Sequence, residues 1–265
     1  FHTQEYFEKI ARTRGKELIA FTADTHASED SFDAALCATG GLLNAISMVA
    51  EKKISNAFAL IRPPGHHAEK SRAMGYCLFN HVALGAAFAR THLKLNKVLI
   101  LDWDIHHGNG TQHAFERDPS VLFFSIHQAG LFPGTGNFTD TGGGPGEGYT
   151  INLPLPKGYG DAEYVAILDR LLGPVAEQFA PDLILVSAGF DTHKADPMGG
   201  MQMTAQGFAG MTAAIKKIAD TVCDGKMVLS LEGGYNCQAL TESVRAVLKE
   251  MAGITSCDIN AMAAT

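Results

Sequence analysis

The sequence predicts an α/β domain in which helices cover both faces of a mostly parallel sheet. Short runs of near-continuous Val, Ile, Leu and Phe recur along the chain, as expected of strands buried on both sides. Between them lie segments whose apolar residues repeat at three- and four-residue steps, the mark of helices with one buried stripe. The two patterns alternate from end to end without an internal repeat, low-complexity tract or Pro/Ser linker, so the 265 residues read as one domain.

In order along the chain, helical periodicity over 31–50 precedes a strand at 56–61 (NAFALI), and a helix over 78–92 precedes a strand at 97–103 (KVLILDW). A strand at 120–126 (SVLFFSI) follows. A helix is then predicted over 161–179, with Asp161 as its N-cap and Tyr164, Val165, Leu168, Leu171, Leu172, Val175 and Phe179 on its buried stripe. Strands at 182–188 (DLILVSA) and 226–231 (KMVLSL) alternate with helices over 204–222 and 238–252. The glycine-rich segments 62–76, 130–148 and 189–201 each follow a predicted strand. Ligands of open parallel sheets sit beyond the carboxyl ends of the strands, so an active site is expected there.

Composition narrows the function class. With 46% hydrophobic and 18% charged residues, 28 Gly and 10 Pro, the chain is neither disordered, collagenous nor coiled coil. Its 28 carboxylates against 21 Lys and Arg argue against a broad nucleic-acid surface. No apolar run is read as reaching the roughly 18 residues of a membrane span, and the charged opening FHTQEYFEKIARTRGKE does not resemble a signal peptide. Cys37, Cys77, Cys223, Cys237 and Cys257 are scattered and odd in number, which favours reduced thiols and a cytoplasmic compartment.

Four strand-end clusters carry chemistry. In LDWDIHHGNG, Asp104 and His106 are two residues apart and point to one side of an extended strand end. A carboxylate and an imidazole converging in this way suit zinc, iron or manganese; the bland reading is a polar pair capping the next helix. Asp191 in SAGFDTH supplies a third ligand, leaving a position open for water or substrate, although a lone Asp there also reads as a helix cap. His66 and His67 in RPPGHHAE are placed for proton transfer in a rigid loop, against the alternative of two exposed surface imidazoles. Tyr235 in LEGGYN aims a phenol at a developing oxyanion, or is simply a turn tyrosine. Together they are the inventory of a metal-assisted amide hydrolase.

The motifs RPPGHHAE, GYCLFN, DWDIHHGNGTQ, LFPGTG, SAGFDTHKADPMGGM and LEGGYN, in that order between about residues 22 and 250, resemble those of the zinc-dependent histone deacetylase family. The Asn of HHGNG, where the class I pattern has Asp, and the Trp of DWD point to its class II and bacterial histone-deacetylase-like amidohydrolase branch. The resemblance implies the arginase-deacetylase fold and hydrolysis of N6-acetyl-lysine in proteins or peptides. It implies one Zn²⁺ held by Asp104, His106 and Asp191, with His67 as general base and then acid and His66 assisting electrostatically. Asp102 would orient His66, Asn109 would orient His67, and the division of roles between the two imidazoles stays open. Tyr235 would donate to the oxyanion, worth about 3 to 4 kcal/mol for such donors. Class IIa enzymes of vertebrates carry His there and are feeble on acetyl-lysine, so a chain with Tyr is expected to be active.

By the same resemblance Gly75, Tyr76 and Phe132 would wall a tunnel for the acyl-lysine stem, with Met198 at its rim, Gly234 beside it and Asp24 holding the substrate backbone. K⁺ or Na⁺ would occupy a site at Asp102, Asp104, His106 and Ser125 and a second at Phe115, Asp118, Val121 and Tyr149. Lys194 and His193 would lie near the rim. The chain opens without Met at the family's first long helix, lacking the usual N-terminal strand and His-Pro-Glu loop. The expectation is therefore a deacetylase catalytic domain over 1–265, truncated at its N-terminus and with a short C-terminal extension. Acetylated lysine side chains are the expected partners, with no direct nucleic-acid or membrane contact and no readable oligomeric state. The nucleus is open if the source is eukaryotic. The nearest rival is an acetylpolyamine amidohydrolase, whose mouth glutamate is here Met198. An arginase-like enzyme would need carboxylates at Gly108 and His193, and a non-catalytic acyl-lysine binding module would have lost a ligand, a His or Tyr235.

Overall fold

Strand formation here follows from burial on two faces. In the computed structural model, which describes residues 1–263, Val98, Leu99, Ile100 and Leu101 of one strand are all fully buried, odd and even positions alike. The chain begins with α1 (Gln4–Ala11), an antiparallel pair β1 (Ile19–Ala20) and β2 (His26–Ala27), and α2 (Ser31–Ala50). It continues through β3 (Asn56–Ala59), α3 (His81–Thr91), β4 (Val98–Asp102), α4 (Asn109–Phe115), β5 (Val121–Gln128) and β6 (Thr150–Leu155). There follow α5 (Asp161–Ile167), α6 (Gly173–Phe179), β7 (Leu183–Ala188), α7 (Ala205–Cys223), β8 (Met227–Leu231), α8 (Cys237–Met251) and α9 (Ile259–Met262).

Six strands form one sheet in the order β3-β8-β7-β4-β5-β6, parallel at every pairing. One face packs Val98, Ile100, Leu185 and Val228 against Leu42, Ile46, Val82 and Ala86 of α2 and α3. The other packs Leu99, Leu101, Ile184, Val186 and Leu229 against residues of α5 to α8, among them Phe208, Met211 and Ile215. All carboxyl ends therefore point the same way, with β4 and β7 side by side at the centre and Asp102 in register with both Ser125 and Ser187.

Several expectations are revised. The stretch 161–179 is not one helix: α5 passes into a π turn at Leu168–Leu172 before α6. Pro174, at the start of α6, has no N–H to bond back to the preceding turn, and the wider turn absorbs that loss. Asp161 is not the cap but the first helical residue. Its carboxylate accepts the Thr204 N–H (2.8 Å) and hydroxyl (2.6 Å), while Glu163 reaches back to the Gly160 N–H (2.8 Å). Edge strand β6 escaped the reading because Asn152 and Pro154 interrupt its apolar run, and Pro is tolerated at an edge. Helix α2 is long and apolar enough, by length and composition, to cross a membrane, contrary to the sequence reading. Here it buries Phe32, Ala35, Ala38, Leu42, Ile46 and Val49 in the protein core. The five cysteines are all free.

Candidate active site

Beyond Asp102 the chain leaves β4 in a tight turn that brings Asp104 and His106 to one side. Asp104 Oδ1 accepts the His106 N–H (2.9 Å) and lies 3.0 Å from His106 Nδ1, while Oδ2 accepts the Gly233 N–H (2.9 Å) from beyond β8. Asp191, beyond β7, accepts the Ile105 N–H through Oδ1 (2.9 Å). Its Oδ2 is buried without a hydrogen bond, 3.2 Å from His106 Nδ1. Ligand atoms of the three residues all lie within 4.8 Å of one another. Burial and the Asp104 charge push the Asp191 carboxyl up to about 7. Burial opposes ionisation of His106, but the Asp104 and Asp191 carboxylates outweigh it and raise the ring to about 10. An orphaned carboxylate oxygen beside a second carboxylate and an imidazole fits a divalent ion of borderline softness such as Zn²⁺.

The histidine loop is docked by a residue the sequence reading did not single out. Glu232 Oε2 accepts the N–H groups of Gly65 (2.6 Å) and His66 (3.2 Å), its Oε1 accepts the Ser187 hydroxyl (3.1 Å), and its carbonyl accepts Arg62 Nη1 (2.8 Å). A glutamate closing an apolar strand was the available signal. His66 Nδ1 donates to Asp102 Oδ2 (2.9 Å), and His67 Nδ1 donates to Asn109 Oδ1 (2.8 Å). The rings stand 4.0 Å apart between centroids. Burial disfavours both imidazolium forms. Asp102 and Asp104 overcome it at His66, which is held well above the usual histidine range. At His67, burial and the neighbouring His66 hold the ring well below that range. Gly75, at φ +55°, lies so close to His67 that a Cβ would overlap the imidazole, and a Cβ on Gly108 would overlap the Asp102 carboxylate. A second-metal carboxylate at 108 therefore has no room.

A cavity of about 150 Å³ opens above these groups, lined by Asp24, His66, His67, Gly75, Tyr76, His106, Phe132, Met198 and Tyr235 together with Pro64 and Gly233. Gly233 lines this cavity, and its neighbour Gly234 lies next to it, facing Phe190 and Leu240. Phe132 stands edge-on to His67 at 5.0 Å, and Tyr76 edge-on to Tyr235 at 6.1 Å. Burial, with Asp104 and Asp191 nearby, drives the Tyr235 phenol far above its ordinary value, so it remains a proton donor. Asp196 fixes the loop beneath it by accepting the Tyr235 N–H (2.6 Å). Asp24 Oδ1 accepts the hydroxyls of Thr22 (2.5 Å) and Thr25 (2.8 Å), and Thr25 in turn accepts the Tyr76 N–H (3.0 Å). Burial works against the Asp24 charge, but those hydroxyl bonds keep its pKa below the usual value. Lys194 is exposed, whereas His193 is buried with Nδ1 accepting the Ala195 N–H (3.1 Å), so only the former presents charge outside.

The proposed cation positions are less distinctive. Ser125 Oγ lies 2.9 Å from His127 Nδ1, and Asp102 Oδ1 accepts the Asp104 N–H (3.1 Å). The carbonyls of Phe115, Asp118 and Tyr149 each accept one backbone N–H, from Asp118, Val121 and Phe123, which leaves one lone pair apiece. The Asp118 carboxylate is engaged by Arg90 (2.6 Å) and Ser120 (2.5 Å).

The fold is thus a parallel α/β sheet with a His/Asp/Asp group that could hold a metal ion beyond the carboxyl ends of its two central strands. A family profile described as the histone deacetylase domain matches residues 1–251. Histone deacetylase 10, chloroplastic, of Oryza sativa subsp. japonica is 42% identical over 92% of this chain and 56% of its own length. A probable deacetylase of Archaeoglobus fulgidus is 42% identical over 95% of this chain and 70% of its own. The polyamine deacetylase HDAC10 of Danio rerio is 39% identical over 95% of this chain and 38% of its own. The solved HDA15 HD domain superposes with a TM-score of 0.91 at 39% identity, covering 99% of this chain and 74% of that one. The chain belongs to the histone deacetylase family. It spans a little over half the length of the rice relative.

Proposed function

We propose that the protein is a zinc-dependent deacetylase that hydrolyses the amide of N6-acetyl-lysine in proteins or peptides. The observation that carries this reading is the convergence of Asp104, His106 and Asp191 into one buried group, of which His106 lines an aromatic-walled cavity onto which His67 and Tyr235 also open. The three side chains would hold the zinc, which when bound polarises the amide carbonyl and acidifies the attacking water. Tyr76 and Phe132 would grip the methylene stem from either side. His67 keeps its Nδ1 proton on Asn109, so Nε2 is the atom that takes a proton from water and returns it to the departing amine. His66, held against Asp102, keeps positive charge beside the reacting carbonyl. Tyr235 donates its hydroxyl proton in a hydrogen bond to the carbonyl oxygen as negative charge grows there. Acetate and a free lysine amine leave. The groups at Asp102, Asp104, His106 and Ser125 and at Phe115, Asp118, Val121 and Tyr149 would hold structural K⁺ or Na⁺.

Acetylated polyamine is the second reading. Asp24, a charged carboxylate at the mouth, suits a free ammonium as well as peptide N–H groups, while Met198 offers such a substrate no charge. Hydrolysis of an N-acetyl-lysine peptide and of N-acetylputrescine by the zinc-loaded protein, with Tyr235→Phe as control, tests both. Peptide turnover that collapses in Y235F supports the first reading, turnover of acetylputrescine alone supports the second, and activity indifferent to Y235F overturns the mechanism.

A further inference from the structure

His67 is useful as a base only with its proton on Nδ1, because only then does Nε2 present a lone pair. That requires Asn109 to turn its oxygen, not its nitrogen, toward the ring, and an amide offers both. What decides the matter is on the far side of Asn109. Its Nδ2 lies 2.5 Å from Glu69 Oε1, 3.3 Å from the His67 carbonyl and 3.5 Å from Met74 Sδ. All three neighbours are acceptors. Rotating the amide by half a turn would set Oδ1 against a carboxylate and a carbonyl. Asn109 is 2% exposed, so water does not relieve that repulsion.

Glu69 is held for the purpose. Its backbone N–H donates to the Arg72 carbonyl (2.9 Å), which closes the tight turn after the histidine loop. The same Oε1 accepts His113 Nδ1 (2.8 Å), one helical turn along α4 from Asn109. A continuous chain thus runs from the buried His67 through Asn109 and Glu69 to His113, whose side chain is 45% exposed. We propose that Glu69 is a positioning residue that fixes the orientation of the Asn109 amide and through it the tautomer of His67. The inference rests on the proposed role of His67 as base. The plain alternative is a half-exposed Glu69–His113 ion pair of negligible consequence, which predicts no effect on the ring of His67.

The test combines kinetics on the acetyl-lysine peptide with ¹⁵N NMR of the imidazoles of the folded, zinc-loaded protein. In Glu69→Ala, His67 is expected to populate the Nε2–H tautomer, and kcat to fall by ~10- to 100-fold with KM changed less than about twofold, as is typical when the orienting partner of a site residue is removed. Glu69→Gln, which can still present an oxygen to Asn109, is expected to recover most of the rate. In an Asn109→Asp background the sign reverses: two carboxylates then face each other, and E69Q raises kcat instead of lowering it. A His67 tautomer unchanged in E69A, or an E69Q effect of the same sign and size in both backgrounds, overturns the proposal. Should the wild type cleave no acetylated substrate, the functional reading falls, while the tautomer in E69A still decides this one.

Discussion

Beneath the floor of the cavity, behind His106, Asp104 and Asp191 are each 1% exposed and each accepts a backbone N–H from a different segment of the chain. At its mouth, Tyr76 and Phe132 are 44% and 41% exposed and belong to loops, and Asp24 is held by two hydroxyls of its own loop. The floor is set by the sheet: Asp104 follows β4 and Asp191 follows β7, the two central strands. The mouth is set by the loops that carry Asp24, Tyr76 and Phe132, which lie outside the strands of the sheet. The proposed chemistry and the proposed substrate contacts are thus built on parts that differ in burial, and substitutions in the two regions are expected to differ in kind as well as size.

The largest effect belongs to the floor. Asp191→Ala removes the one oxygen of the proposed ligand set that has no hydrogen-bond partner, and bound zinc and peptide turnover are expected to vanish together, with kcat/KM down by ~10³ or more. Metal analysis beside the assay checks this, and an active variant without metal would dissolve the distinction. Tyr235→Phe is expected to retain zinc and KM while kcat falls by ~10² to 10³, about 3 to 4 kcal/mol. Between floor and scaffold stands His81, fully buried, with Nε2 donating to the Pro63 carbonyl (3.0 Å) and Nδ1 2.8 Å from the Thr39 hydroxyl. Burial lowers it to about 4. The unfolded chain binds a proton below about pH 6.5 that the folded chain refuses, so stability is complete above that pH and declines as pH falls toward 4. The loss reaches about 3 kcal/mol. Denaturant unfolding at pH 7 and pH 5 measures it, and His81→Gln should flatten the dependence.

Effects at the mouth are smaller. Phe132→Ala is expected to raise peptide KM by ~5- to 10-fold, about 1 kcal/mol, with kcat nearly retained. A fall in kcat alone would mean that Phe132 serves the chemistry. Asp24→Asn should raise KM for peptides by only ~2- to 5-fold and leave a single acetyl-lysine amide unaffected, since a half-exposed carboxylate is screened by water. Equal losses on both substrates would contradict a role in holding the peptide backbone.

Legibility in the sequence followed the same division. The strands of the sheet interior announced themselves through runs such as VLIL and LILV, because burial on two faces admits little else, whereas β6, with Asn152 and Pro154 at the edge, did not. Asp104, His106, Asp191, His66 and His67 lie in local patterns dense enough to read, and their motifs resembled a known family. Glu69 and Glu232 were passed over although both sit inside quoted motifs. A glutamate carries no mark of what it will accept, and the partners of Glu232 lie as far away as 170 residues in the chain.

The N–H of Gly233 reaches Asp104 across 129 residues of chain, and that of Ile105 reaches Asp191 across 86. No short fragment of this protein contains the ligand set. The site comes into being only when β4, β7 and β8 are already side by side, so it is among the most non-local features of the molecule and expected among the last to form. If the proposed metal binds there, a nascent or partly unfolded chain would neither sequester the ion nor expose an unguarded hydrolytic centre, and metal uptake would report completed folding.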